Sequence, residues 1–153
     1  MVLLNRFLYG VEAAVLNVDN KLPDLINFFK ARDDIVAVWI VGSYGTKYQT
    51  ENSDIDLAIL FSKEISFFDE LDLEVQISDI LQTDKVDIIN LNKAPLTLQF
   101  KAISEGREII KKDPIKVADF EEVVLDLYQD HEYFYRKFHE ELKERNHHES
   151  QYR

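Results

Sequence analysis

Asp54 and Asp56 stand two residues apart at the start of an apolar run, Leu57-Ala58-Ile59-Leu60-Phe61, with Ile55 between them. If that run is a strand, alternate side chains share a face, and the two carboxylates project together about 6–7 Å apart at the usual strand rise. Carboxylates so close repel one another, and neither is readily taken out of water without a cation. Mg²⁺ meets that demand, since it takes hard oxygen ligands and is commonly held by one or two carboxylates plus substrate phosphates. Upstream of Asp54, with ten residues between, the chain reads Gly42-Ser43. Gly42 lets the backbone approach a ligand closely. Ser43 offers a hydroxyl and, if a short helix runs from Ser43 to Tyr48, a backbone N–H at a helix N-terminus, where phosphate binds well. Each residue has a plainer reading as well: Asp54 as a turn cap in Asn52-Ser53-Asp54, Gly42 as a tight turn, Ser43 as an N-cap. Asp56 is harder to explain that way, because a carboxylate inside an apolar strand is costly unless paired or liganded. Together the two halves imply nucleotide chemistry.

These residues need a frame. The β-branched run Ile35, Val36, Val38, Ile40, Val41 predicts a first strand over 35–41, leading into Gly42. Residues 55–61 form the second strand and 85–91 the third, the latter interrupted by Asp87, with Lys85 as a nearby counter-charge. Between them, residues 67–81 carry a helical pattern that serves as a crossover. Pro23 marks a helix start, with Leu22, Leu25, Ile26 and Phe29 on one face. Pro95 opens a further helix through Ile103, Gly106 closes it, and Arg107–Ile110 fits a short edge strand. Residues 1–18 fit a helical period. The last segment, about 115–146, repeats apolar and aromatic residues from Phe120 to Phe138 at three-and-four spacing, an amphipathic helix whose apolar face suits core packing or docking on a partner, with His131 expected to be packed on that face. Helices and strands alternate, so the expected class is α+β, α/β-like, with a small mixed sheet.

The chain has 153 residues, which is one domain's worth, and no cysteine, so neither a disulfide framework nor a thiolate ligand or nucleophile is available. No apolar run reaches the length of a membrane span, and a cytoplasmic location is expected. The formal charge is −11, from 29 acidic and 18 basic residues. That balance argues against direct nucleic-acid binding, which needs clustered Lys and Arg, but not against ATP, which arrives with its own Mg²⁺. It also suits a partner with a basic surface.

Gly42-Ser43 followed at this spacing by Asp54-Ile55-Asp56 resembles the nucleotidyltransferase superfamily of DNA polymerase β, above all its minimal members. The stretch Lys85-Val86-Asp87-Ile88-Ile89-Asn90-Leu91 supplies the further aspartate that the resemblance calls for, at Asp87. The runs Leu91–Leu96 and Gly106–Ile110 fit the same pattern, so the likeness covers roughly residues 22–112, and the last forty residues only loosely. It implies a polymerase β-like fold and Mg²⁺ held by Asp54 and Asp56. Asp87 would serve as general base or further metal ligand, and Gly42 and Ser43 would lie on the nucleotide phosphates. Where many minimal members carry an arginine, this chain has Thr46-Lys47, and Lys47 could reach a triphosphate, with a solvated lysine as its plainer reading.

The chain as a whole looks like the minimal nucleotidyltransferase (MNT) antitoxins paired with HEPN toxins, which transfer AMP from ATP to a tyrosine of a ribonuclease toxin. That resemblance implies protein adenylylation with a HEPN partner in a hetero-oligomer. Two alternatives stay open: transfer to a small molecule such as an aminoglycoside, and neutralisation of a toxin by binding alone.

Overall fold

The computed structural model describes residues 15–151. The helical pattern of residues 1–14 lies outside them, and 15–18 are irregular, followed by a single 3₁₀ turn at Asp19–Lys21. Helix α1 (Leu22–Lys30) then begins with Pro23 in its first turn and buries Leu25 and Phe29, four residues apart on one face. Strand β1 (Ile35–Val41) is buried along its whole length. It pairs antiparallel with β2 (Ile55–Phe61) on one side and with β4 (Arg107–Lys111) on the other. Helix α2 (Phe67–Leu81) carries the chain from β2 across to β3 (Val86–Asn90), which lies parallel to β2. The sheet order is β3-β2-β1-β4, a mixed four-stranded sheet, as the alternation of elements predicts.

Alternation along the central strands gives the sheet two apolar faces, so helices cover both. Val38, Ile40, Ile55, Leu57 and Ile59 face α1 and α2, which answer with Phe29, Leu73 and Ile77. Trp39, Val41, Ala58 and Leu60 face the other way, towards Ala102 of α3 (Leu96–Glu105) and Val117 of α4 (Pro114–Gln151). Helix α2 starts on a capping box: the Ser66 hydroxyl accepts from the Asp69 N–H, and the Asp69 carboxylate accepts from the Ser66 N–H. Pro95 is the N-cap of α3, one residue outside it. At the other end the Gly106 N–H donates to the Ala102 carbonyl, and a Cβ at 106 would lie 2.2 Å from that oxygen, so the close of α3 needs a glycine.

Two expectations change. Residues 43–48 form successive turns and no helix. Gly45 adopts φ +73°, and the Gln49 side chain accepts its N–H, so the turn closes locally before a helical hydrogen bond can form. The final helix is one continuous rod over Pro114–Gln151, but only its first part packs on the domain. Val117 and Val124 are buried, and Tyr128 stacks on Phe100 at 3.6 Å between ring centroids. From there on Tyr133, Phe134, Tyr135 and Phe138 are exposed, and so is His131, which is flanked by the rings of Tyr128 and Tyr135 rather than packed in the core. At 1.5 Å per residue the helix outruns the small sheet, so an apolar pattern beyond about Tyr128 meets no core to enter. Among the described residues no helix is long and apolar enough to cross a membrane.

Candidate active site

The site lies at one end of the sheet. Strand β1 ends at Val41, whose partner across the antiparallel pair is Asp56, and Asp56 is in turn in register with Asp87 across the parallel pair. Asp56 therefore stands in the middle strand with Gly42 on one side and Asp87 on the other. By strand alternation its side chain shares a face with Ala58 and Leu60, the face that α3 covers. Asp54, two residues earlier, is exposed at the mouth of β2, and Asp87 is exposed as well.

Gly42 is required here twice over. Its φ of +76° is a left-handed conformation that favours glycine, and a Cβ would lie 2.5 Å from Asp56 Oδ2. The backbone thus passes directly against the Asp56 carboxylate. The turn that follows is pinned from several sides. Tyr44 is buried, and its hydroxyl accepts from the Val18 N–H and donates to Asp19, each at 2.9 Å. Ser43 Oγ donates to Ser53 Oγ at 2.9 Å, joining the two ends of the 42–54 connection. Thr46 donates through both N–H and hydroxyl to the Ser43 carbonyl. The donors that this segment presents are therefore turn amides and hydroxyls rather than a helix end.

Burial raises the Asp56 carboxyl above its ordinary value, and the negative charges of Asp87 and Asp54 raise it further, while the Lys101 ammonium opposes them. Burial also raises Glu74 of α2, and Asp87 adds to it. Among the described residues Asp54, Asp56 and Asp87 make no side-chain hydrogen bond or ion pair. Their repulsion is thus met by no direct ion pair, only by Lys101 acting from across the cleft, and Lys85, the expected counter-charge, donates instead to the Glu51 carbonyl. Three oxygen-donor carboxylates with unbalanced charge fit a hard divalent cation. Among the described residues no three such groups are already drawn together at ligand distance, so a bound cation would have to gather the exposed Asp54 and Asp87 side chains to Asp56.

Beside the carboxylates an open cleft of about 410 Å³ separates the turn from the end of α3. Gly42, Ser43, Thr46 and Tyr48 line one wall; Lys101, Glu105 and Gly106 line the other. Of the six residues expected from sequence, Gly42 and Ser43 line the cleft, Asp56 lies against Gly42, and Asp54 and Asp87 flank Asp56. Lys47 is exposed, with its ammonium 5.0 Å from the Tyr48 ring centroid, and is not part of the cleft wall. Sequence reasoning missed Lys101. Its one trace is a lone cation in the otherwise uncharged stretch Leu96–Ile103, five residues before Gly106.

A mixed sheet carrying paired aspartates beside a Gly-Ser turn defines a nucleotidyl-transfer domain. The chain belongs to the polymerase beta nucleotidyltransferase family, whose pattern matches residues 23–115.

Among its relatives is a candidate protein adenylyltransferase of Methanocaldococcus jannaschii, 37% identical over 76 residues, which are 50% of this chain and 76% of that protein. Protein adenylyltransferase MntA of Shewanella oneidensis is 28% identical over 94 residues, 60% of this chain and 63% of MntA. The fold is that of a chain in a toxin–antitoxin crystal structure with AMP-PNP, at a TM-score of 0.64 and 21% identity, covering 83% of this chain and 98% of that one. It is equally that of a chain in the structure of a tri-AMPylated Shewanella oneidensis HEPN toxin with its MNT antitoxin, at a TM-score of 0.64 and 16% identity, covering 82% and 98%.

Proposed function

We propose that this chain is a protein adenylyltransferase that moves AMP from ATP to a tyrosine hydroxyl of a HEPN toxin, and so acts as its antitoxin in the cytoplasm. In this reading residues 1–153 are one minimal nucleotidyltransferase domain, bound to the toxin as a hetero-oligomer. The observation that carries the reading is the row Gly42, Asp56, Asp87 across three adjacent structural segments, with Asp54 beside it. The family membership and the relatives named protein adenylyltransferase support it.

Asp54 and Asp56, with Asp87 as a third ligand, are the residues that would hold Mg²⁺, which supplies neutralisation of the phosphate charge that develops during transfer. Gly42 brings the backbone of the turn up to the nucleotide, and Ser43 with neighbouring turn amides binds the terminal phosphates. Asp87, exposed at the neighbouring strand, accepts the proton of the attacking hydroxyl. The hydroxyl oxygen forms a bond to the α-phosphorus as the bond from that phosphorus to the bridging oxygen breaks, and pyrophosphate leaves. The cleft is open to one side, which leaves room for an acceptor presented by another protein.

The test is intact mass of a HEPN partner incubated with this protein, ATP and Mg²⁺, beside a variant carrying Asp54→Asn and Asp56→Asn. The expected result is a mass gain of one or more AMP units that the variant does not produce. A stable complex with no gain would replace this reading by neutralisation through binding. No gain and no complex would turn it towards small hydroxyl-bearing acceptors.

A further inference from the structure

Beyond Tyr128 the last helix leaves the domain and runs on as a lone rod. From Gln129 to Arg145 every residue is exposed except Leu142, which is partly covered. The stripe that packs on the domain in the first half, Val117, Phe120, Val124 and Tyr128, nevertheless continues at the same three-and-four spacing through His131, Tyr135, Phe138 and Leu142. Its rings are already ordered against one another. Tyr128 stacks on Phe100, the His131 ring lies 6.2 Å from those of both Tyr128 and Tyr135, and Tyr135 meets His139 edge-on at 4.4 Å. A groove of about 400 Å³ runs beside them, lined by Tyr128, His131, Glu132, Tyr135 and Arg136. A helix without tertiary packing is marginal in water, so an apolar stripe of about three turns calls for a covering surface.

We propose that a second copy of this chain covers the stripe, the distal halves of two α4 helices pairing antiparallel to make a homodimer. The proposal stands apart from the nucleotide reading. The stripe is its own complement. Its spacings run four, three, four about a midpoint between Tyr135 and Phe138, so an antiparallel partner sets His131 against Leu142 and Tyr135 against Phe138. Charge selects the same occupant. Residues 119–132 hold six acids and no Lys or Arg, whereas 133–145 hold four Lys or Arg against three Glu. In a chain of net charge −11 the distal half is therefore a stretch where two copies approach without strong repulsion. A partner with a basic surface would find its complement on the acidic stretch instead. The area also suffices. Phe134, Tyr135 and Phe138 are each more than half exposed. With the flanking side chains they offer roughly 700 Å² per copy, close to the roughly 800 Å² of a standard specific interface.

Sedimentation equilibrium of the full chain tests this across about 2–200 µM, which brackets the micromolar affinity expected of an interface at the small end of that range. The expected result is a mass that rises with concentration from 18.0 kDa towards twice that value. A variant with Tyr135→Ser and Phe138→Ser, both outside the packed part of the helix, should melt as a folded domain and dimerise at least about a hundredfold more weakly, four rings being lost from the pair. The chain has no cysteine, so Lys137→Cys and Glu144→Cys each take a single spin label with the stripe intact. Antiparallel pairing should make the distance between the two copies' labels longer at 144 than at 137 by about 10 Å, given the helical rise. Equal distances would mean parallel pairing and overturn the arrangement. A wild type that stays monomeric throughout, or a double variant that dimerises as wild type does, would overturn the interface. A monomer whose complex with a HEPN toxin is lost in the double variant would assign the stripe to the toxin instead.

Discussion

Replacing Asp56 by Asn should make the protein more stable and inactive at once. In the folded state Asp56 is partly buried between two like charges, in register with Asp87 and two residues from Asp54. In-register residues of adjacent strands are about 4.8 Å apart and alternate residues of one strand about 6.7 Å. Coulomb's law then gives each pair a repulsion of about 0.7 kcal/mol in water-like surroundings and nearly 3 kcal/mol at an effective dielectric constant of about 20. Because the site is open to solvent, the lower end applies, and the two pairs together amount to about 1–2 kcal/mol. Asn keeps the shape and removes the charge. For a chain of this size that corresponds to a melting temperature higher by about 3–6 °C, read by calorimetry in chelator. The sign with pH follows from the raised carboxyl: folding favours its protonated form, so wild type lacks this penalty below about pH 4 and acquires it as pH rises through the folded-state value. The stabilisation by Asp56→Asn should therefore shrink towards acid pH. Added Mg²⁺ should raise the melting temperature of wild type but not of the variant. A variant less stable than wild type at neutral pH would refute the reasoning, for it would mean that Asp56 has a structural partner rather than an uncompensated charge.

Gly42→Ala should destabilise the domain by at least about 1–2 kcal/mol from the left-handed backbone alone, with the contact against Asp56 Oδ2 added, and should abolish transfer; urea midpoints and turnover check it, and wild-type values for both would mean the turn does not hold this conformation in solution. Tyr44→Phe removes a hydroxyl that serves both Val18 and Asp19, leaving the buried Val18 N–H without its acceptor, at a cost of about 1–2 kcal/mol in the denaturant midpoint. The pair Arg32–Asp34 predicts the opposite pH response to Asp56. The Arg32 guanidinium, hydrogen-bonded to Asp34 at 3.0 and 2.7 Å, holds its carboxyl below the usual range despite partial burial. Its stabilisation, about 0.5–1 kcal/mol for a partly exposed pair, is present above about pH 4 and lost as pH falls through the folded value. Asp34→Asn should flatten that limb of a stability profile between pH 2.5 and 7.

The sequence alone determined the strands and the carboxylates. Seven consecutive apolar residues at Ile35–Val41, mostly β-branched and ending at Gly42, read as a strand, and a polar connection followed by Asp54-Ile55-Asp56 sets two acids on one face by periodicity. The placement of Asp87 beside Asp56 was legible in kind, as an acid breaking an apolar strand, but the register that sets them side by side belongs to the parallel pairing of β2 with β3. Tertiary structure alone decided three things. The segment after Gly42 is a set of turns because Tyr44 is held by Val18 and Asp19 and Gly45 turns left-handed, contacts across some 25 residues that no local propensity contains. The aromatic half of the last helix stays off the core because the sheet ends before the helix does, and periodicity states which face is apolar but not what lies opposite it. Lys101 comes to the cleft because α3 packs on β1, far away in sequence, and a single cation on a helix carries no spacing by which it could be read.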